Sequence, residues 1–173
     1  TSAAGVKLTP LTGSVDESWY HYDNVDVAFD RVRGFVTITV KAPFDTPPSD
    51  AKAIQAQGTA FWPLAVAREL DDAILLLRTN EPELGLWVLK TTGEGAKVVA
   101  YDDTLLAHQD DWFVREVIGM LRRTLSRLDV SSRSMYAIIE PGSAFAGTFA
   151  ELAFAADRSY MLDLGEDGGP ELQ

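Results

Sequence analysis

The chain has 173 residues and a formal net charge of −11, and its 46% hydrophobic residues are enough to build the core of one domain. The negative charge argues against a general affinity for nucleic acid or anionic membrane surfaces, because both require a positive field. The chain contains no cysteine, which excludes disulfides and thiolate metal sites. It also contains no apolar run near the roughly 20 residues that cross a membrane.

Composition divides the chain into three segments. Both ends are acidic and contain glycine and proline, so we expect residues 1–24 to be an extension or linker and residues 163–173 to be an acidic tail. Residues 25–162 lie between them and are predicted to form one domain. No signal peptide is visible, which makes a cytoplasmic location the default expectation.

The domain begins with a predicted β-hairpin and a loop. Apolar and polar residues alternate over residues 25–29 and again over residues 35–40, and Gly34 lies at the tight turn between them. Residues 42–51 (APFDTPPSDA) contain three prolines, which lack an N–H donor and disfavour helix in the residue before them. This segment is therefore predicted to be a loop.

Helices and strands are predicted to alternate after that loop. Pro63 lies at the first position of an amphipathic helix that ends near Asn80. Residues 84–89 (LGLWVL) form an apolar run typical of a strand covered on both faces, and residues 98–101 (VVAY) predict another short strand. Apolar residues recur at helical spacing over residues 113–128. This order of elements predicts an α/β fold with right-handed crossovers.

Residues 134–162 carry the strongest signal for a functional site. The apolar run over residues 135–139 predicts a strand, Pro141-Gly142 ends it, and a helical pattern resumes at Phe149. Backbone N–H groups at a helix start have no intrahelical partner, so a glycine-containing loop there can hold an oxyanion. Glu151 lies in the first turn of this helix.

Thr148 and Glu151 fit two different roles. The sequence Thr148-Phe149-Ala150-Glu151 has the form of a capping box, in which the threonine hydroxyl caps the helix and the glutamate accepts from the threonine N–H. A Thr148 N–H bonded in this way could not also bind a substrate oxyanion. The sequence leaves both interpretations open.

Signals for a cofactor or a metal ion are weak. Gly93 and Gly95 begin a pattern like a dinucleotide-binding loop, but Val98 occupies the third glycine position and a strand is predicted to follow. The two histidines, His21 and His108, have no recognised metal-binding spacing. We therefore expect neither a bound cofactor nor a metal ion.

Three segments resemble one enzyme superfamily. Residues 146–157 (AGTFAELAFAAD) are similar to the signature of the crotonase (enoyl-CoA hydratase/isomerase) superfamily, a glycine-rich turn followed by Glu-Leu-Ala-x-x-x-Asp. Residues 34–43 resemble the first hairpin of that family, and residues 89–103 resemble its Thr-Gly-x-Gly and Ala-Gly-Ala-Asp segments. The resemblance extends in order over residues 25–162. It implies an α/β crotonase-like fold of repeated strand-strand-helix units, truncated before the C-terminal helical segment.

Within that superfamily, residues 62–85, 110–134 and 138–161 are most similar to the second crotonase-like half of the benzoyl-CoA-dihydrodiol lyases. Members of that family add water to the oxidised, dearomatised ring of benzoyl-CoA and open it with loss of formate. They are longer, so the resemblance implies that this chain is a portion of a longer enzyme. It also implies an acyl-CoA substrate, no other cofactor, and either a homo-oligomer or association with the remainder of the enzyme, with no nucleic-acid or membrane partner.

The resemblance assigns roles to individual residues. The backbone N–H of Thr148 would be one oxyanion donor for a thioester carbonyl, and the second would lie at the backbone of Asp102 or Asp103. Glu151 would be the acid/base that handles water or a proton next to that carbonyl. The second glutamate of the family falls on Glu171 by ungapped counting, but the preceding sequence LDLGEDGGP differs from the family's strand and fits a solvated tail better.

Two departures from the family support a different function. Crotonases usually have consecutive glycines where this chain has Thr148-Phe149. Together with the missing second glutamate, these side chains favour an alternative in which the chain is a non-catalytic crotonase-like half with a structural or interface role.

Overall fold

A computed structural model of the chain describes residues 5–165 and 169–172. The strands are β1 (Gly13–Val15), β2 (Trp19–Tyr22), β3 (Val25–Asp30), β4 (Phe35–Lys41), β5 (Leu86–Thr92), β6 (Ser134–Ile139) and β7 (Arg158–Met161). The α-helices are α1 (Ala51–Gln57), α2 (Trp62–Asn80), α3 (Gly95–Ala107), α4 (Trp112–Asp129) and α5 (Ala150–Ala155). Short 3-10 helices span Gly58–Ala60 and Gly147–Phe149.

The strands form a seven-stranded sheet in the order β1-β2-β3-β4-β5-β6-β7. Pairing is antiparallel from β1 to β4 and parallel from β4 to β7. The register places Val27, Ile38, Leu89 and Ala137 side by side on four neighbouring strands, and all four are buried. Because the parallel strands are connected by helices, the α/β class predicted from the sequence is confirmed.

The core lies between one face of the sheet and the helices. Every second residue of the central strands is buried, as expected where one face of a sheet is covered. Trp87 of β5 has no solvent exposure and belongs to the same apolar cluster as Ile74 of α2 and Val117 of α4. Helices α2 and α4 also contact each other, and buried residues of both belong to this cluster.

The helices and strands predicted from a regular spacing of apolar residues are confirmed. The hairpin is β3 and β4, with Asp30 paired to Phe35 across the turn and Gly34 at a φ of 74°. Helix α2 has proline in its first turn and ends at Asn80, as expected from the sequence. The helix predicted from residues 113–128 is α4. The strand predicted from residues 135–139 is β6.

The strand predicted at residues 98–101 is wrong, because this segment lies inside helix α3. Its two consecutive valines favour a strand locally, but Val98, Tyr101 and Leu105 are buried at helical spacing. The burial of one helix face therefore overrides the local preference.

The N-terminal segment is part of the sheet, and the prediction of a linker is wrong for residues 13–24. Strand β2 pairs with β3 in antiparallel register, and Tyr20 and Tyr22 are each only 3% exposed. The Tyr22 hydroxyl donates to the carboxylate of Asp72 in α2 at 2.7 Å. Residues 1–4 of the predicted extension and residues 166–168 and 173 of the predicted tail lie outside the described residues.

Strand β5 is fully buried on one face and partly buried on the other, so the predicted coverage of both faces is only partial. Trp87 and Leu89 are buried, whereas Leu86 and Val88 on the opposite face are half-buried. Across residues 5–165 and 169–172, no helix is long and apolar enough to span a membrane.

Helix α4 should depend on its N-terminal cap. The Asp111 carboxylate accepts from the N–H groups of Phe113 at 2.9 Å and Val114 at 3.2 Å, and from the side-chain amide of Gln55 at 2.7 Å. Asp111→Ala removes these acceptors, so we expect it to lower the free energy of unfolding by about 1 to 2 kcal/mol in urea denaturation. Asp110→Ala, at the exposed neighbouring position, is the control. Equal stability of the two variants would contradict the assigned cap.

Candidate active site

Glu151 lines an open cleft of about 480 Å³ between α3, α4 and the start of α5. We call this the Glu151 cleft. Aliphatic side chains of α3 and α4 form much of its wall. Its polar side chains come from three elements that are distant in sequence: Asp102, Arg122, Ser126, Thr148 and Glu151. The cleft thus combines an apolar surface with two carboxylates, one guanidinium and two hydroxyls.

The connection from β6 to α5 brings Glu151 to the cleft. Gly142 has a φ of 85°, which a glycine adopts without strain, and the chain turns there after Pro141. The next segment is tied to β5, because the Ala144 N–H donates to the buried Thr91 hydroxyl at 2.8 Å. Phe149 then packs against Trp62 of α2, with ring centroids 5.4 Å apart. These contacts place the first turn of α5 beside α3.

Asp102 of α3 binds the backbone and the side chain of Thr148. The Thr148 N–H donates to Asp102 Oδ2 at 2.6 Å, and the Thr148 hydroxyl donates to Oδ1 at 2.5 Å. We call this pair of bonds the Asp102–Thr148 clamp. Gly147 permits it, because a Cβ on that residue would lie 2.1 Å from Asp102 Oδ2. Hydrogen bonds to an ionised carboxylate are stronger than those between neutral groups.

The clamp excludes the capping-box interpretation. Neither Ala146 at the start of the 3-10 helix nor Phe149 at the start of α5 makes a side-chain cap hydrogen bond. The Thr148 hydroxyl and N–H both donate to Asp102 instead of bonding within their own turn. Glu151 lines the cleft and does not accept from that N–H. Its carboxylate is therefore exposed and accessible.

The predicted oxyanion donors need correction. Asp102 and Asp103 lie within α3, where backbone N–H groups donate to the carbonyls four residues earlier, so neither N–H is open to a ligand. The Thr148 N–H, the other predicted donor, is bonded to the Asp102 carboxylate. What was predicted as a backbone donor near Asp102 is thus an acidic side chain that itself accepts hydrogen bonds.

Burial of the half-buried Asp102 side chain raises the pKa of its carboxyl group above the ordinary value. The two Thr148 bonds lower that pKa, and the charge of Asp103 raises it further, with burial the largest effect. Arg122 is the cationic side chain lining the same cleft. The cleft therefore contains a carboxyl group that holds its proton more tightly than an exposed aspartate does.

Glu171 is not part of this arrangement. Its side chain is exposed and is not among those that line the Glu151 cleft. Among the described residues, no group of three or more histidine, aspartate or glutamate side chains could hold a metal ion. The structure brings together Glu151, Thr148 and the side chain of Asp102, and leaves Glu171 outside.

Sequence reasoning missed the side chains of Asp102, Arg122 and Ser126. Asp102 was considered only for its backbone, and its partner Thr148 is 46 residues away, which no local pattern reveals. Arg122 and Ser126 are four residues apart on α4, so they share a helix face. That spacing was the available signal, but a solvated helix face shows the same one.

Comparison with solved structures identifies the fold class. The chain is similar to the crystal structure of an enoyl-CoA hydratase from Bacillus anthracis, with a TM-score of 0.50 and 17% sequence identity. The similarity covers 79% of this chain and 46% of the hydratase chain. The fold is therefore crotonase-like, as the sequence motifs predicted, and identity at this level supports the fold alone.

Comparison with protein sequences gives a more specific similarity than the fold does. Over 164 residues, the chain is 59% identical to a benzoyl-CoA-dihydrodiol lyase from Aromatoleum evansii. This match covers 95% of the chain, which spans 30% of the length of that lyase. The predicted resemblance to the crotonase superfamily and to benzoyl-CoA-dihydrodiol lyase is thus confirmed. A comparison with protein-family models gave no match.

The clamp predicts unequal effects of two glycine substitutions. Gly142 and Gly147 both have positive φ, but a Cβ on Gly142 would meet no atom within 4 Å. We expect Gly142→Ala to lower the free energy of unfolding by about 1 to 2 kcal/mol through backbone strain. Gly147→Ala should lower it by about 2 kcal/mol more, because the Asp102 bonds to Thr148 must break. Urea denaturation of both variants measures the difference, and equal losses would mean that the close approach of Asp102 contributes nothing.

The raised pKa of Asp102 predicts a pH effect. The folded chain binds this proton more tightly than the unfolded chain, so the stabilisation is complete below the ordinary value of 3.8 and is lost as pH rises through the raised pKa. Asp102→Asn should therefore flatten the decrease in unfolding free energy from that pH towards neutrality. Urea denaturation over this range tests it, with Asp110→Asn as the exposed control. Parallel curves for wild type and Asp102→Asn would contradict the assignment.

Proposed function

We propose that this chain is part of an acyl-CoA-processing lyase or hydratase of the crotonase type, and that the longer enzyme cleaves the ring of benzoyl-CoA dihydrodiol. The observation that carries this proposal is the 59% identity to a benzoyl-CoA-dihydrodiol lyase along 95% of the chain. The crotonase-like fold supports the same chemistry class. An acyl-CoA is then the substrate, and the remainder of the longer enzyme is the expected partner.

Glu151 is the candidate acid/base of this reaction. Its carboxylate lines a cleft whose apolar walls suit a ring or acyl group, and it is exposed, so water and substrate reach it. A carboxylate can take a proton from water as that water adds to a carbon, and can then return the proton to the leaving group. The hydroxyl group of Ser126 and the guanidinium of Arg122 line the same cleft and can orient oxygen substituents of a substrate.

Stabilisation of a thioester oxyanion is the part of the proposal that requires movement. The Thr148 N–H donates to Asp102, so a thioester oxygen can bind there only after Asp102 releases it. The Asp102 carboxylate would also repel an enolate formed beside it. Oxyanion binding by Thr148 therefore needs a rotation of the Asp102 side chain that frees the N–H, and protonation of Asp102 would remove the repulsion.

The same contact favours a second candidate function. A carboxylate that permanently occupies the Thr148 N–H leaves no open oxyanion donor at this position, and the N–H groups of Asp102 and Asp103 are engaged in α3. The chain would then be a non-catalytic crotonase-like half that serves structure or an interface, while another part of the longer enzyme performs the chemistry.

Glu151→Gln separates the two functions. In the longer enzyme, this substitution should lower kcat for benzoyl-CoA dihydrodiol by about 100- to 10,000-fold, because the amide cannot transfer a proton. Binding of benzoyl-CoA, measured by calorimetry, should be largely retained. Glu116→Gln, which changes an exposed carboxylate on α4 outside the cleft, should leave kcat unchanged.

Two outcomes would overturn the first proposal. Undiminished kcat in Glu151→Gln would remove the acid/base role from this residue. If, in addition, the folded chain bound no benzoyl-CoA, the non-catalytic function would be the better conclusion.

A further inference from the structure

Helix α5 is too short to fix its own orientation. It has six residues, and its first turn has no side-chain cap of its own. Isolated helices of this length are unstable in water, so contacts from other elements must hold α5 in place. Leu152 and Ala153 pack one face of α5 into the core. The chain that enters α5, three residues before the exposed Glu151, is held by a second contact.

That contact is the Asp102–Thr148 clamp. It joins the middle of α3 to the residue that lies three positions before Glu151, and both carboxylate oxygens take part. Residues three apart on a helical turn lie on the same side, so fixing Thr148 fixes the side from which Glu151 projects. The half-buried position of Asp102 reduces competition from water for these bonds.

We propose that Asp102 is a positioning residue, which holds the first turn of α5 so that the Glu151 carboxylate faces the cleft. Asp102 acts through Thr148 and Gly147 and needs no contact with substrate. The inference rests on the acid/base role proposed for Glu151. It also gives Gly147 a function, because a side chain at that residue would separate the carboxylate from its donors.

Paired substitutions at Thr148 test the proposal in the longer enzyme. Thr148→Val removes the hydroxyl donor at nearly constant volume, and Thr148→Ser keeps it. We expect Thr148→Val to lower kcat by up to about 100-fold with little change in KM, because misplacing a reacting group slows catalysis more than it weakens binding. Thr148→Ser should restore kcat close to the wild-type value. Asp102→Asn should act like Thr148→Val, and Asp110→Asn is the control.

A measurement on the chain itself separates this inference from the proposed function. Hydrogen exchange of the α5 backbone amides can be followed by NMR, without any turnover. Thr148→Val and Asp102→Asn should speed this exchange, whereas Thr148→Ser and Asp110→Asn should not. The unfolding free energy of each variant, measured in urea, shows that the comparison is made on folded protein.

The positioning role of Asp102 can be tested whether or not the wild-type enzyme is active. If kcat per folded enzyme is unchanged in both Thr148→Val and Asp102→Asn, the clamp is only structural and the proposal is overturned. If the wild-type enzyme has no activity, the proposed function fails and the hydrogen exchange of α5 alone decides. Faster exchange of α5 in Thr148→Val and Asp102→Asn then supports positioning by Asp102, and unchanged exchange overturns it.

Discussion

Burial of one sheet face holds every part of the candidate site in place. Trp87, Leu89 and their neighbours on adjacent strands belong to one apolar cluster with residues of α2 and α4, and burial of apolar surface is the dominant favourable term in folding. Helices α3 and α5 attach at its margin, and the Glu151 cleft is the space between them and α4. The site residues therefore sit on short elements whose positions are set by a larger core.

Much of the fold could be predicted from the sequence because the spacing of apolar residues follows from which face of a helix or strand is buried. The hairpin, α2 and α4 each show a clear period of two or of three to four residues, and each prediction was confirmed. Helix α3 was mistaken for a strand because two adjacent valines dominate a four-residue window. The spacing of Val98, Tyr101 and Leu105 over the longer segment is helical. Strand β2 was missed although Tyr20 and Tyr22 alternate with polar residues, because the acidic composition suggested a linker.

The site was predicted less completely than the fold. Glu151 was found through the family resemblance, and the structure places it in a cleft. The clamp could not be found, because Asp102 and Thr148 meet only after α3 and α5 have packed together. The capping-box pattern was misleading for the same reason: a threonine hydroxyl bonds to the best acceptor in space, and here that acceptor is an aspartate of another helix. A short sequence pattern predicts hydrogen bonds between neighbouring residues, whereas this site is held by a bond between residues 46 positions apart.

The sheet has the same strand order in space as in the sequence. Each strand from β2 to β7 pairs with the one that precedes it, so no strand has to be inserted between two that have already paired. The chain can therefore extend its sheet from one edge in the order in which it leaves the ribosome, with every new strand meeting a finished neighbour. The cleft is completed late in this order, because α5 follows β6 and only β7 comes after it among the described elements. Most of the sheet and helices α1–α4 are thus synthesised before α5, which completes the Glu151 cleft.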